Sequence, residues 1–323
     1  MKKDQLRIIY MGTPEFAVEP LKELVEGGYQ VVAVVTMPDK PAGRGMKLRY
    51  SDVKEYALAQ NLPVLQPEKL KDPAFLESLK SFQADLQIVV AFRMLPEVVW
   101  AMPSMGTFNL HASLLPQYRG AAPINWAVIN GEEETGVTTF FLQQDIDTGD
   151  ILLQDKIELG PDENVGSVHD RLMALGGTMV VRTVDAILDG SVNACPQEMV
   201  ITKETDLKKA PKLFKDNTRI DWNSDCVKLH NFIRGLSPFP TAWSELKDAN
   251  NEQYSVKIFE AQYELISHDK VLGTLVTDGK KELKVAVNDG FIVLKRFQLA
   301  GRKALNTDEF LRGFPRISNF FFV

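Results

Sequence analysis

The sequence is poor in the residues that build covalent or metal frameworks, with 2 cysteines and 4 histidines in 323 residues. Cys195 and Cys226 are too few for a disulfide framework or a four-ligand zinc site. Two free thiols in a reducing cytoplasm are expected, with no metal. No run of 18 or more apolar residues occurs, so no membrane span is readable. The amino terminus has Lys2 and Lys3, but its apolar stretch is short and contains Arg7, so no signal-peptide core is read. The turn Gly12-Thr13-Pro14-Glu15 lacks the second and third glycines of the dinucleotide fingerprint, and Pro14 removes a donor N–H. A nicotinamide-linked oxidoreductase is therefore disfavoured. No internal repeat or low-complexity tract is visible.

What is present is ordinary globular composition, 45% apolar and 25% charged, at a length that suggests two domains. The net charge of −6 hides a division. Residues 1–206 carry 18 Lys and Arg against 29 Asp and Glu, whereas residues 207–323 carry 19 against 14. A basic second half suits a polyanion such as nucleic acid, although scattered solvated lysines give the same balance.

The first half alternates apolar β-branched runs with helically spaced segments. Strands are expected at Leu6–Met11, Gln30–Thr36, Val64-Leu65, Leu86–Ala91, Gly106–His111, Val137–Leu142 and Ile151–Leu159. Helices are expected over Phe16–Glu26 (stopped by Gly27-Gly28), Asp52–Gln60 (capped by Ser51), Pro73–Phe82, Pro123–Asn130 and Asn164–Leu188. Met37–Arg49 reads as a basic Pro/Gly loop. This alternation predicts an α/β fold, a doubly wound, mostly parallel sheet. After Trp222 the pattern changes to a helix over Asp225–Arg234 and five short strands: Ala242–Leu246, Ser255–Ala261, Val271–Thr277, Glu282–Val287 and Phe291–Gln298. With turns such as Asp278-Gly279 between them, these predict a small OB-like β-barrel. The expected organisation is a catalytic domain at 1–190, a linker at 191–206 and the barrel at 207–323. The terminal Phe320-Phe321-Phe322 either packs on the core or forms an exposed end.

Asn109 and His111 stand two apart near the end of a strand, so both project from one face. Asp147 lies in the polar turn Asp145–Asp150. An amide donor, an imidazole and a carboxylate that converge would serve acyl transfer. The carboxylate would orient the imidazole and raise its pKa, keeping it available as an acid, and the amide and imidazole would donate to an oxyanion. On spacing alone a purely structural histidine fits as well. His169 reads as a surface or packing histidine on a helix, His230 and His268 have no partner motif, and Trp126 reads as a core residue rather than a substrate stack.

The stretch Asn109-Leu110-His111-Ala112-Ser113-Leu114-Leu115-Pro116-Gln117-Tyr118-Arg119-Gly120 resembles the signature of folate-dependent formyltransferases, and Asp147-Thr148-Gly149 resembles their second motif. Gly12–Ala17, the Pro38–Lys47 segment with Ala42-Gly43-Arg44-Gly45, Gly120–Ala127 and Ile233–Pro240 resemble the branch of that family that acts on tRNA. The resemblance spans nearly the whole chain.

It implies a formyl transfer from 10-formyltetrahydrofolate to the α-amine of methionyl initiator tRNA, by a monomer without a metal. Asn109, His111 and Asp147 match the family's catalytic trio. Ser113, Leu114, Leu115 and Pro116 match its folate-contacting segment, and Phe92, Arg93, Met94 and Leu95 match a wall of the pterin pocket, where plain strand-end packing is the alternative. Lys40, Arg44, Lys47 and Arg49 put four positive charges on one loop of an acidic domain, suited to tRNA phosphates or unpaired bases. Lys208, Lys209, Lys212, Lys215, Arg302 and Lys303 are the remaining tRNA candidates. Formylation of a sugar-nucleotide or ribonucleotide amine, and a non-enzymatic tRNA- or folate-binding role, are the competing readings.

Overall fold

Strands rich in Val, Ile and Leu on both faces bury best between two layers of helix, and the first half of the chain does this. The computed structural model describes residues 2–42, 47–201, 203, 206–250, 252–314 and 316–323, with the backbone alone for Ala42 and Lys47. The described chain divides into two compact units. One comprises residues 1–123, 135–157 and 169–209, and the other 124–134, 158–168 and 210–323.

The first unit holds a sheet ordered Val64–Leu65, Gln30–Val35, Arg7–Gly12, Leu86–Val90, Thr107–His111, Glu134–Phe141 and Ile151–Glu158. The first five strands are parallel to their neighbours, and Glu134–Phe141 runs antiparallel to Thr107–His111. The chain therefore starts in the middle and winds outward both ways, as a doubly wound sheet does. Leu86–Val90 is buried at every position. On one face Ile9, Met11, Ala33, Val35 and Val89 pack with Phe75, Leu79 and Val99. Phe75 and Leu79 come from the helix Pro73–Ser81, which begins as its sequence dictates, with Pro73 in the first turn and the Asp72 carboxylate accepting the Ala74 N–H. Ser51 likewise caps Asp52–Ala59 through the Lys54 N–H.

One segment differs from the sequence reading. Met37–Arg49 is not wholly a loop: Lys40–Ala42 and Lys47–Arg49 pair as an antiparallel ribbon. Lys54 Nζ lies 2.6 Å from Asp39 Oδ2 and over the Tyr50 ring, so the base of that ribbon is tied to the helix that Ser51 caps. Residues 191–206, which the sequence presents as a linker, fall in the first unit. There Cys195 bridges the edge strand at Ile151, each residue's N–H donating to the other's carbonyl at 2.8 Å.

In the second unit the sheet runs Leu275–Thr277, Leu283–Val287, Gly290–Leu299, Gln253–Leu265, Ala242–Asp248 and Phe320–Phe322. The last strand returns to the first: Thr274 bridges Phe321, and the Phe322 N–H donates to the Gly273 carbonyl at 2.9 Å. The result is the nearly closed antiparallel barrel that the short strands predict. Gly273 sits at φ +82°, where only glycine is unstrained, and a Cβ there would overlap the Phe322 carbonyl oxygen. The helix Cys226–Leu236 buries Cys226, Leu229, Ile233 and Leu236 in the barrel core. The open question about the terminal phenylalanines is settled by strand alternation: Phe320 and Phe322 are buried and Phe321 is exposed. The helix Thr307–Gly313, absent from the sequence reading, starts with a capping box formed by Asn306 and Glu309.

Candidate functional site

Asn109 and His111 occupy alternate positions of Thr107–His111, paired with Phe140 and Thr138 of the neighbouring strand. His111 is buried and Asn109 half-buried. Beyond His111 the chain bends back over its own strand, so that His111 Nε2 lies 2.9 Å from the Tyr118 carbonyl oxygen. A carbonyl only accepts, so Nε2 carries the proton in this contact. The Tyr118 backbone reaches this place through a left-handed conformation, φ +61°. His111 Nδ1 then faces Asp147, at 3.9 Å from Oδ2, with the two side chains only 7% and 14% exposed. The structure thus brings His111 and Asp147 together across 36 residues of sequence, at a separation too long for a hydrogen bond.

The Asp147 turn is held from several sides. Asp147 itself is left-handed, at φ +55°. The Gly120 N–H donates to Asp147 Oδ2 at 2.9 Å. A Cβ on Gly149 would overlap the Phe141 carbonyl oxygen, so only glycine lets the turn close on its strand. Gln197, fully buried, donates to the carbonyls of Asp147 and Gly149 at 2.9 and 2.8 Å. Its own oxygen accepts from Arg119 Nε and Nη2 at 3.0 and 2.6 Å. Sequence reasoning missed Gln197, because these contacts lie 48 to 78 residues away. Nothing in its own segment signals it.

The folate-matching segments leave the sheet side by side. Leu86–Val90 and Thr107–His111 are parallel neighbours in register Val89 to Asn109, and Phe92–Leu95 and Ser113–Pro116 follow them. Ligands of open α/β sheets bind at such strand ends. The side chains divide into those that build the wall and those that face out of it. Ser113 is fully buried, its hydroxyl donating to the Gln117 carbonyl and its carbonyl accepting from Thr138 Oγ1. The Leu115 N–H donates to Thr138 Oγ1 at 3.2 Å, and the Leu115 carbonyl accepts from Gln154 at 3.0 Å. Arg93 reaches across to the Glu68 and Pro67 carbonyls, and burial pulls its guanidinium below its usual pKa. Leu95 and Leu115 are buried, Phe92, Leu114 and Pro116 half-buried, and Met94 is 74% exposed. Thr138 and Gln154, which shape this wall, carried no sequence signal.

Of the basic candidates, Lys40 and Arg49 are exposed on the ribbon, Lys47 pairs there through its backbone, and Arg44 lies outside the described residues. Lys208 and Lys209 belong to the first unit and are exposed, with the Lys208 backbone tied to Gln117 and Tyr118. Lys212, Lys215, Arg302 and Lys303 are exposed in the second unit. There Lys215 and Arg219 lie over the Trp243 ring. The other histidines are structural in their contacts: His169 packs its ring edge on Phe16, His230 lies 3.2 Å from Asp162, and His268 Nε2 lies 2.8 Å from the Val287 carbonyl.

A model of the formyl transferase family matches residues 6–184, and a model of the formyl transferase C-terminal domain matches residues 212–315. The curated protein "Methionyl-tRNA formyltransferase" of Bacteroides thetaiotaomicron is 63% identical over 315 residues, 97% of each chain. The protein of the same name from Flavobacterium johnsoniae is 55% identical over 310 residues, 96% of each chain. Among solved structures, HypX from Aquifex aeolicus in complex with tetrahydrofolic acid superposes at a TM-score of 0.62 and 19% identity, over 96% of this chain. The present chain spans about half of HypX, 48% of its length. An N-formyltransferase from Helicobacter canadensis, in complex with folinic acid and dTDP-3-aminofucose, gives a TM-score of 0.65 at 18% identity, over 90% of this chain and 99% of its own. At these identities the structures speak to the fold.

Proposed function

The chain belongs to the formyl transferase family, and from that premise we propose that it transfers the formyl group of 10-formyltetrahydrofolate to the α-amine of methionyl initiator tRNA. The product, N-formylmethionyl-tRNA, serves translation initiation in the cytoplasm. The observation that carries this reading is the likeness, along nearly the whole chain, to curated proteins named methionyl-tRNA formyltransferase.

In this reading the neutral amine nitrogen bonds to the formyl carbon, and the resulting tetrahedral adduct collapses with cleavage of the carbon–nitrogen bond to the folate. The amine gives up one proton and the folate nitrogen gains one. An aminoacyl ester lowers the basicity of its amine, so a strong protein base is not required. Holding both reactants in one cleft supplies much of the advantage, up to about 7–11 kcal/mol in the best-oriented cases. The Asn109 amide donates to the oxyanion of the adduct. His111 acts through Nδ1, because Nε2 is committed to the Tyr118 carbonyl. Asp147 offsets positive charge that develops on that ring.

The folate fits the two segments at the strand ends. Leu114, Pro116, Phe92 and Met94 offer apolar surface, while the Ser113 hydroxyl and the two terminal nitrogens of Arg93 stay on backbone carbonyls and hold the wall in shape. Few polar groups on an apolar lining is the common design of such sites. We assign tRNA binding to the basic residues Lys40, Arg44, Lys47, Arg49, Lys208 and Lys209, and to a second domain over 207–323 that follows a catalytic domain over 1–190. The enzyme acts as a monomer.

The test is transfer of labelled formyl from 10-formyltetrahydrofolate by the purified chain, with methionyl initiator tRNA and an amino-sugar nucleotide offered in competition. Label on the tRNA is expected. Label on the sugar alone overturns the acceptor, and label on neither overturns the reading.

A further inference from the structure

Gln197 lies in the segment that the sequence presents as a connection, yet it is fully buried and every polar position of its amide is occupied. We propose that Gln197 is a positioning residue for formyl transfer, a clamp that fixes the Asp147 carboxylate against His111. This rests on the reading of His111 and Asp147 as the reacting pair.

The contacts form a closed ring. Arg119 and Gly120 are chain neighbours. The Gly120 N–H holds the Asp147 carboxylate, and the Arg119 guanidinium holds the Gln197 oxygen. The two amide hydrogens of Gln197 hold the carbonyls of Asp147 and Gly149. The turn is thereby tied to the His111 loop twice, once through the Asp147 side chain and once through its backbone. The backbone tie matters because Asp147 is left-handed, at φ +55°, a conformation uncommon outside glycine that aspartate tolerates better than most residues and that the two bonds from Gln197 help to hold. The same loop supplies Tyr118, whose carbonyl fixes the His111 ring. Among the described residues, the hydrogen bonds of Gln197 reach neither His111 nor any group placed on the substrates; it acts through Asp147 and Arg119. A glutamine does this where a carboxylate cannot, since the turn offers only carbonyl oxygens and the guanidinium only donors.

Geometry of this kind is costly to lose. A misplacement of about 1 Å is worth on the order of 10²-fold in rate. Gln197→Glu keeps the shape and the bond from Arg119 but sets an acceptor against two carbonyls. Gln197→Leu removes both sets of bonds.

The experiment is steady-state formyl transfer to methionyl initiator tRNA, with active protein counted by folate titration and folding checked by thermal unfolding. For both variants kcat is expected to fall about 10- to 100-fold, with KM for the folate within about threefold of wild type. A residue that only filled space would leave the isosteric Gln197→Glu at wild-type kcat, and that result overturns the proposal. A rise in KM at unchanged kcat also overturns it. Should both Gln197 variants fail to fold, Arg119→Met carries the test: the clamp predicts a lower kcat at unchanged folate KM, and a wild-type kcat contradicts it. If the wild-type chain itself transfers no formyl group, the functional reading fails, and that outcome is separate from failure of the clamp.

Discussion

Replacing Asp147 by asparagine isolates one physical effect. The two side chains have the same shape, and an asparagine oxygen still accepts the Gly120 N–H that now reaches Oδ2. What disappears is a negative charge 3.9 Å from His111 Nδ1. Two unit charges about 4 Å apart attract by about 4 kcal/mol at an effective dielectric of about 20, a value that suits pairs with some access to water. Both side chains are more than four-fifths buried, so screening by salt is small. If His111 carries positive charge in the transition state, losing that attraction raises the barrier by up to the same amount. At about 1.4 kcal/mol per decade, kcat falls by about 10²- to 10³-fold. KM for the folate should change by less than about threefold, because the lost term acts only as charge develops. The assay is formyl transfer at saturating donor and acceptor, beside thermal unfolding of both proteins. A variant that folds normally and keeps kcat within about threefold of wild type refutes the electrostatic role.

Three further outcomes follow from contacts elsewhere. Phe322→Ala should cost about 3–5 kcal/mol in urea unfolding, since Phe322 is 4% exposed in the barrel core, whereas Phe321→Ala, at 42% exposure, should stay within about 0.5 kcal/mol; equal effects would contradict the closing strand. Burial, aided by Asp289, pushes the Cys226 thiol up to about 12, so a thiol reagent at pH 8 should label Cys195 alone in the native chain and both cysteines in denaturant. The unfolded thiol ionises near pH 8.5, so this group's contribution to stability should decline from there to about pH 12; native labelling of Cys226 would refute its burial. Hydrogen bonds from Lys54 and Gln66 hold the Asp39 carboxyl below its usual value. That contribution is complete above about pH 4 and lost as pH falls through the lowered folded value, so Lys54→Met should narrow the gap between urea midpoints at pH 6 and pH 3. An unchanged gap would show that the tie at the base of the ribbon adds nothing.

Local signals were legible wherever one segment decides its own structure. Ser51 and Asp72 cap helices because their oxygens lie within reach of the next N–H groups, whatever the rest of the chain does. Leu86–Val90 reads as a buried strand because nothing in it is polar enough for a surface except Gln87, which is itself fully buried beside Thr107. Asn109 and His111 were visible as a pair through the two-residue period of a strand. The polar turn Asp145–Asp150 offered Asp147, the resemblance gave that reading its weight, and the fold shows that the turn does approach His111.

What escaped depends on distance along the chain. The ribbon of Lys40–Ala42 and Lys47–Arg49 has no alternating pattern, and its pairing stands next to the anchor at Lys54. Gln253–Leu265 runs well past the expected Ser255–Ala261, because its exposed end stays paired to Gly290–Leu299 and needs no apolar alternation. Thr307–Gly313 is too short for periodicity to show. Gln197 sits in a stretch without pattern, and its role comes from partners in two other loops that only the folded chain assembles.

The most direct measurement is single-turnover formyl transfer to methionyl initiator tRNA at saturating 10-formyltetrahydrofolate, comparing wild type with His111→Ala and Asn109→Ala, each shown by titration to bind the folate. The account predicts rapid transfer by the wild type and a loss of on the order of 10²-fold or more in each variant at retained folate affinity. Transfer by either variant at the wild-type rate would contradict the assignment of chemistry to this strand end.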